Sequence, residues 1–129
     1  MTDWAWPSST VTRIVDGDTI DATVTRDLGF GGKAVFPVRL RLARINAPKG
    51  SSDRGKAATA FLQQLLPLNV PVDLVTTKPY KYAGPDWSPG EWMVEITLQY
   101  GNVSDLMVSS GYATYWDGEG PKPNDQLRR

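Results

Sequence analysis

Asp16 and Asp18, two carboxylates separated by one glycine, are the first residues whose types and spacing could support chemistry. Gly17 can adopt a positive φ at low cost, so the backbone could reverse tightly here and hold both carboxylates close together. Paired carboxylate oxygens suit a hard cation. Apolar and polar residues alternate over residues 19–25 and place Asp18 on the apolar side of a strand. The alternative is that Asp-Gly-Asp is a solvated hairpin turn without a ligand.

Arg39 and Arg41 form a second candidate pair, in a segment where alternate positions over residues 36–42 are apolar. Residues two apart on a strand project from the same face, about 7 Å from each other. Two guanidinium groups at that spacing can hold phosphate oxygens by charge-assisted hydrogen bonds, so the pattern indicates a phosphate-binding strand. The alternative is that both arginines lie on a solvent face and pair with carboxylates such as Asp21.

In this order, the turn over residues 14–20 and the arginine-rich strand over residues 39–48 resemble the two active-site strands of the staphylococcal nuclease family. The resemblance covers nearly the whole chain and implies a single domain over residues 1–129. The implied fold class is mainly β (α+β): a five-stranded OB-type Greek-key barrel with one longer and one short helix. The compact form is also similar to that of nuclease-like proteins carried by bacteriophages.

Turn and cap signals place the remaining elements of this fold. Ser52 or Asp53 is suited to cap the longer helix at its N-terminus, and Pro67 would stop it. The family's last helix would start near Pro123 and would be truncated here to a stub. The expected elements are a helix over residues 53–66, strands over residues 70–77 and 92–98, and a short helix over residues 103–110.

The resemblance also implies roles for individual residues. Asp18 matches the family's metal-binding aspartate, and Arg41 matches the strand arginine that clamps the scissile phosphate. Lys81 and Tyr82 resemble a Lys-Tyr pair that contacts a terminal phosphate. In an active enzyme of this kind, the groups that would hold Ca²⁺ are the Asp18 carboxylate, the Asn46 amide oxygen and the Ala47 carbonyl oxygen.

Three positions depart from the family's pattern. Asn46 stands where the family has a second metal carboxylate, and Lys49 stands where it has the glutamate that steers the attacking water. Glu91 aligns with the second phosphate-binding arginine. Losing a general base costs about 10²–10⁴-fold in rate, and losing a charge clamp costs about as much again. The carboxylates that could compensate are Asp53 or Glu91 as a base, and Asp16 or Asp21 as a metal ligand.

The sequence therefore predicts a nuclease-derived domain that binds nucleic acid or a nucleotide phosphate, with weak or absent catalysis. The expected partner is a single-stranded nucleic acid or a nucleotide. Two alternatives stay open: an active Ca²⁺-dependent endonuclease or phosphodiesterase that cleaves DNA or RNA, and a protein-interaction or assembly module that keeps only the barrel. The groups expected to carry binding are Arg39, Arg41, Lys49, Lys81 and Tyr82, within a positive patch that adds Arg44 and Arg54.

The composition limits the chemistry further. The chain has no His and no Cys, which excludes His-based acid–base catalysis, thiol nucleophiles and zinc sites built on either residue. At 129 residues and 40% hydrophobic content, one core can form without disulfides. The formal net charge is zero, so any nucleic-acid contact should be a local patch. No secretion signal and no membrane-spanning stretch is visible, and a cytoplasmic monomer is expected.

Two loops carry exposed aromatic candidates. Residues 27–33 place three glycines around Phe30, which predicts a hairpin tip with an exposed ring. The loop over residues 83–90 sets Trp87 between two prolines, where it could stack on a base, contact a partner protein or fold back over Trp92. A third group of aromatic residues lies near the place where the family supplies tyrosines that stack on a nucleotide, and core packing would claim at least one of its members. The group consists of Tyr112, Tyr115 and Trp116.

Overall fold

The computed structural model of the chain describes residues 4–81 and 90–118, apart from the side chain of Lys81. Several predictions fall outside the described residues. They concern the Lys81 side chain, Tyr82, the Trp87 loop and the helix stub after Pro123.

Five long β-strands form because apolar residues alternate with polar ones along them. In the second strand, for example, Ile20, Ala22 and Val24 are buried between half-buried neighbours. In chain order the strands are β1 (Trp4–Asp16), β2 (Thr19–Asp27), β3 (Lys33–Leu42), β4 (Ile45–Asn46), β5 (Pro71–Lys81), β6 (Glu91–Leu98), β7 (Gly101–Asn102) and β8 (Thr114–Tyr115).

The long strands close into a barrel. They follow the order β3-β2-β1-β5-β6 with antiparallel neighbours, and β6 then pairs with β3 in parallel, with Arg41 opposite Met93. This is a closed, mixed five-stranded barrel of the OB type. The predicted fold class is therefore confirmed.

Two helices complete the fold, α1 (Asp53–Leu65) and α2 (Val103–Ser109). The Ser52 hydroxyl accepts a hydrogen bond from the Gly55 N–H at 3.0 Å, so Ser52 is the N-cap of α1 and Asp53 is its first residue. Helix α1 buries Ala58 and Leu62 against the core. Within the two described ranges, neither helix is long and apolar enough to cross a membrane.

The β1–β2 turn packs directly on α1 through Gly17. A Cβ built on this glycine would lie 2.7 Å from the Ala58 Cβ and 2.8 Å from the Ala47 Cβ. Gly17 does not use the positive φ that glycine permits, and glycine is needed here for close approach. Gly55 plays a similar part, since a Cβ there would overlap the Lys49 carbonyl oxygen. Both contacts hold the Asp18 turn and the Lys49 loop against one helix.

The predicted long elements lie close to their observed bounds, whereas the short strands were not predicted. A two-residue strand is too short to show periodicity. One such pairing matters for the site: β4 pairs with β8, with Ile45 opposite Tyr115 and Asn46 opposite Thr114. This pairing carries the next residue, Trp116, to the segment that follows β3.

Candidate functional site

Asp18 and Arg41 meet because β2 and β3 are paired at this end of the barrel. Thr19 lies opposite Arg41, and the Leu42 N–H donates to the Asp18 carbonyl oxygen at 2.7 Å. The Arg41 Nη2 atom lies 3.2 Å from the Asp18 Oδ2 atom. The two residues are only 4% and 5% exposed, so they form a buried ion pair.

The Asp18 carboxylate is held by donors from three directions. Besides Arg41, the Ala47 N–H donates to Oδ2 at 2.9 Å, and the Thr19 hydroxyl donates to Oδ1 at 3.0 Å. The Asp18 N–H in turn donates to the Asp16 carboxylate at 3.1 Å. The prediction of an inward-pointing acid is thus confirmed, and its environment is a built polar site and not a solvated turn.

Arg41 is flanked by an amide and by two aromatic rings. Its Nη2 donates to the Asn46 Oδ1 atom at 2.7 Å. Its Cζ atom lies 4.7 Å from the Tyr80 ring centroid and 5.2 Å from that of Trp116, distances typical of cation–π contacts. The Nε atom is buried and has no hydrogen-bond partner among the described residues. The guanidinium therefore keeps donor capacity that the described part of the chain does not use.

Asp18, Arg41 and Asn46 line a polar cavity of about 240 Å³. Lys49 is exposed and contributes a second positive charge beside Arg41. Asp16 and Asp18 contribute the negative charge. The residues that line the cavity are Asp16, Asp18, Thr19, Arg41, Asn46, Ala47, Pro48, Lys49 and Gly50.

Burial raises the pKa of Asp18 from 3.8 to about 6. The Arg41 charge and the Ala47 N–H lower this pKa, but the neighbouring Asp16 carboxylate raises it further. Asp18 is therefore ionised at neutral pH and becomes half protonated near pH 6.

This pKa predicts a pH dependence of stability. Between its ordinary value of 3.8 and about 6, folded Asp18 binds its proton more tightly than the unfolded chain does. The Asp18 contribution to the free energy of unfolding should therefore be largest below pH 4 and fall as pH rises to about 6, by up to about 1.4 kcal/mol per pH unit. Urea unfolding of the native protein and of Asp18→Asn across this range measures the slope. Equal slopes in the two proteins would contradict the prediction.

Arg39 lies outside the cavity that Asp18 and Arg41 line. Its Nε and Nη2 atoms donate to the two Asp21 carboxylate oxygens at 2.8 and 3.2 Å. The pairing alternative is thus correct for Arg39, which does not line the Asp18–Arg41 cavity, and a joint clamp with Arg41 stays a prediction. The two arginines share a face of β3 but differ in burial. Tyr80 and Trp116 cover Arg41, whereas Arg39 is exposed. Arg39 lines a separate cavity of about 530 Å³ together with Glu91.

Arg44 does not add to a positive patch at the site, contrary to the prediction. It lies between β3 and β4 with a φ of 71°, and its guanidinium pairs with Glu95 and with Asp105 at 2.9 Å. Two carboxylates therefore neutralise its charge. The exposed Asp53 and Arg54 do not line the Asp18–Arg41 cavity either, so Asp53 is not placed as a replacement base.

Two of the three oxygens expected to bind Ca²⁺, those of Asp18 and Asn46, converge on Arg41. Both the Asp18 Oδ2 and the Asn46 Oδ1 atoms lie within hydrogen-bond distance of its Nη2. Within the described ranges, no three side chains of the types His, Cys, Asp or Glu cluster as a metal site. A calcium ion would have to compete with the guanidinium for the same oxygens, so the donor set as arranged does not fit one. Calcium binding stays a prediction.

Among the aromatic candidates, Trp116 faces the site, and Tyr80 was not anticipated. The Tyr112 ring stacks on Phe61 at 4.5 Å, so core packing does claim one member of the group. The Tyr115 hydroxyl donates to Asp105 at 2.8 Å. The only sequence signal for Tyr80 was its place near the end of an apolar strand, which does not reveal which ring covers an arginine on a neighbouring element.

A scan of the chain against models of known protein families finds no match, and a search of curated proteins finds none either. The resemblance to the staphylococcal nuclease family therefore stays a prediction that rests on the residues quoted above.

Proposed function

We propose that this domain binds a phosphate group of single-stranded nucleic acid or of a nucleotide at the Asp18–Arg41 cavity, and that its hydrolytic activity is weak or absent. The observation that carries the proposal is the buried Arg41, flanked by two rings, in a polar cavity with the exposed Lys49 at its edge. A guanidinium whose Nε donor has no partner among the described residues, together with an exposed ammonium group, is suited to phosphate oxygens.

The charge state of Asp18 controls how attractive this cavity is to an anion. When Asp18 is ionised, it neutralises Arg41 at 3.2 Å. Because its pKa is about 6, half of the Asp18 carboxyls are protonated at that pH, and the Arg41 charge then becomes available to a phosphate. Phosphate binding should therefore be strongest on the acidic side of neutrality.

The same geometry supports the second part of the proposal, that the hydrolytic activity is weak or absent. Lys49 is an exposed lysine, which supplies a cation and not a general base. Glu91 lines the neighbouring cavity beside Arg39 and not the one that holds Arg41. Asn46 brings a neutral oxygen where a carboxylate would add charge. The groups around Arg41 thus favour holding a phosphate over activating water to attack it.

The fold is compatible with this proposal without proving it. OB-type barrels host oligonucleotides on the face of their second and third strands, and Arg41 lies on β3 beside β2. One fold serves many functions, so the argument rests on the site. Descent from the staphylococcal nuclease family is part of the proposal and is supported by the order of the Asp18 and Arg41 segments in the chain.

Binding of a short oligothymidine strand by native protein and by Lys49→Ala tests the proposal. At low salt and about pH 6, the variant should bind several-fold more weakly, and its plot of log affinity against log salt should lose a slope of about 0.7 to 1. Lys56→Ala is the matched control, because Lys56 is an exposed lysine on α1 that does not line the cavity. If the native protein does not bind the strand at low salt, or if Lys49→Ala and Lys56→Ala lose affinity equally, the proposed phosphate site is wrong.

A further inference from the structure

A third cavity, of about 410 Å³, lies at the other end of the β1–β2 hairpin from the turn that packs on α1. The first residues of β1, the end of β2 and the first half of β3 meet there. The side chains that define it are Trp4, Trp6, Val24, Phe36, Thr76 and Trp92. Four of these six are aromatic. We call it the aromatic cavity.

A bulge in β1 orients its two indoles. The pairing of β1 with β5 shifts between Trp6 and Ser9, and Ser8 takes a φ of 58° beside Pro7, which lacks an N–H for the ladder. The Trp4 and Trp6 rings stack with centroids 6.3 Å apart. The Trp6 Nε1–H donates to the Thr76 hydroxyl at 3.0 Å and thereby fixes the inner ring.

The walls of the aromatic cavity offer ring surface. The Thr76 hydroxyl accepts from Trp6 and also lies within hydrogen-bond distance of the Trp4 carbonyl oxygen, so it is already engaged. The large rings, in contrast, remain accessible: Phe36 is 45% exposed and Trp92 is 37% exposed. Accessible rings in a concave site suit a flat, apolar ligand that stacks.

Positive charge lies at the same place. The Arg26 guanidinium stacks over the Trp4 and Trp6 rings at 4.5 and 4.6 Å, and no carboxylate among the described residues forms an ion pair with it. Arg39 also lines the cavity. Aromatic walls beside an uncompensated cation complement a flat ring that carries an anionic group.

We propose that the aromatic cavity stacks an unpaired nucleobase of a single strand, with a neighbouring phosphate at Arg26. The inference rests on the proposed function for the polymer but uses a separate site. The cavity of about 530 Å³ adjoins the aromatic cavity, with which it shares Val38, Arg39 and Gly90, and none of its lining residues lines the Asp18–Arg41 cavity. Phe36 lies five positions before Arg41 on β3, about 17 Å along the strand and on its opposite face, so a single strand that reaches both sites must pass around β3 near Arg39 and needs several nucleotides.

The test compares Phe36→Ala with Phe30→Ala. Phe30 is the matched control, because it is also exposed, at 78%, and lies at the tip of the same hairpin but does not line the aromatic cavity. Phe36→Ala should weaken the binding of oligothymidine about 5- to 100-fold, the effect of losing one stacked base, without changing the salt slope. Phe30→Ala should leave the affinity unchanged. Phe36→Leu keeps the apolar bulk and should also weaken binding, which covers the case where the alanine variant fails to fold.

An abasic strand with the same number of phosphates separates this site from the phosphate site. The native protein should bind the abasic strand more weakly, and Phe36→Ala should not weaken it further. Equal losses by Phe36→Ala on both strands, or none on either, would overturn base stacking. If Lys49→Ala binds the strand as tightly as the native protein while Phe36→Ala still binds it more weakly, only the phosphate site is overturned. If a free mononucleotide binds as tightly as the strand, the cavity binds a nucleotide, and the proposal that its ligand is a polymer is wrong.

Discussion

The triple variant Asn46→Asp, Lys49→Glu, Glu91→Arg cleaves single-stranded DNA with Ca²⁺ at a rate about 10²- to 10⁴-fold above that of the native protein, which is the largest effect we expect. The main reason is that the native chain lacks both a second carboxylate and a base in the Asp18–Arg41 cavity, and two such groups act as a unit. The structure already places Asn46 and Lys49 in one cavity with Asp18 and Arg41. Release of acid-soluble nucleotides with and without Ca²⁺ measures the rate.

The contribution of position 91 is separable. Glu91 lines the cavity of Arg39, so Asn46→Asp, Lys49→Glu without the third change should recover most of the gain. Asp18→Ala added to the triple variant is the control and should abolish cleavage. Robust Ca²⁺-dependent cleavage by the native protein, lost in Asp18→Ala, would overturn the proposal of weak catalysis and favour the active phosphodiesterase.

Arg41→Met should lower the free energy of unfolding by about 3–5 kcal/mol at neutral pH, the second-largest effect that we expect. Methionine fills a similar volume between Tyr80 and Trp116, but it leaves the buried Asp18 carboxylate without its counter-charge. Arg39→Met is the matched control on the same strand, because its ion pair with Asp21 is partly exposed and should contribute no more than about 1 kcal/mol.

A double variant and a pH series identify the cause of that loss. Asp18→Asn, Arg41→Met removes both charges and should recover much of the stability, because no uncompensated charge is then buried. Because Arg41 lowers the Asp18 pKa, Asp18 in Arg41→Met takes up its proton above pH 6, so the loss should shrink as pH falls from neutral to about 6 and then level off. Equal losses for Arg41→Met and Arg39→Met in urea unfolding would show that the buried pair is not the source.

The sequence by itself determined the elements that local chemistry controls. Alternation in Ile20, Ala22 and Val24 predicts β2, and Ser52 before an apolar helical face predicts the start of α1. The inward direction of Asp18 follows from the same period of two. These features depend on neighbours within a few residues, which any reader of the chain can count.

Only the tertiary structure decided which of the similar arginines is buried at the candidate site. Arg39 and Arg41 share a face of β3, yet Arg41 alone is buried, because β5 brings Tyr80 and the β4–β8 pairing brings Trp116 across it. Arg44 is drawn away by Glu95 and Asp105. A strand's period shows which side chains share a face, but the cover over that face comes from residues far along the chain, through loop closures that local pattern does not encode.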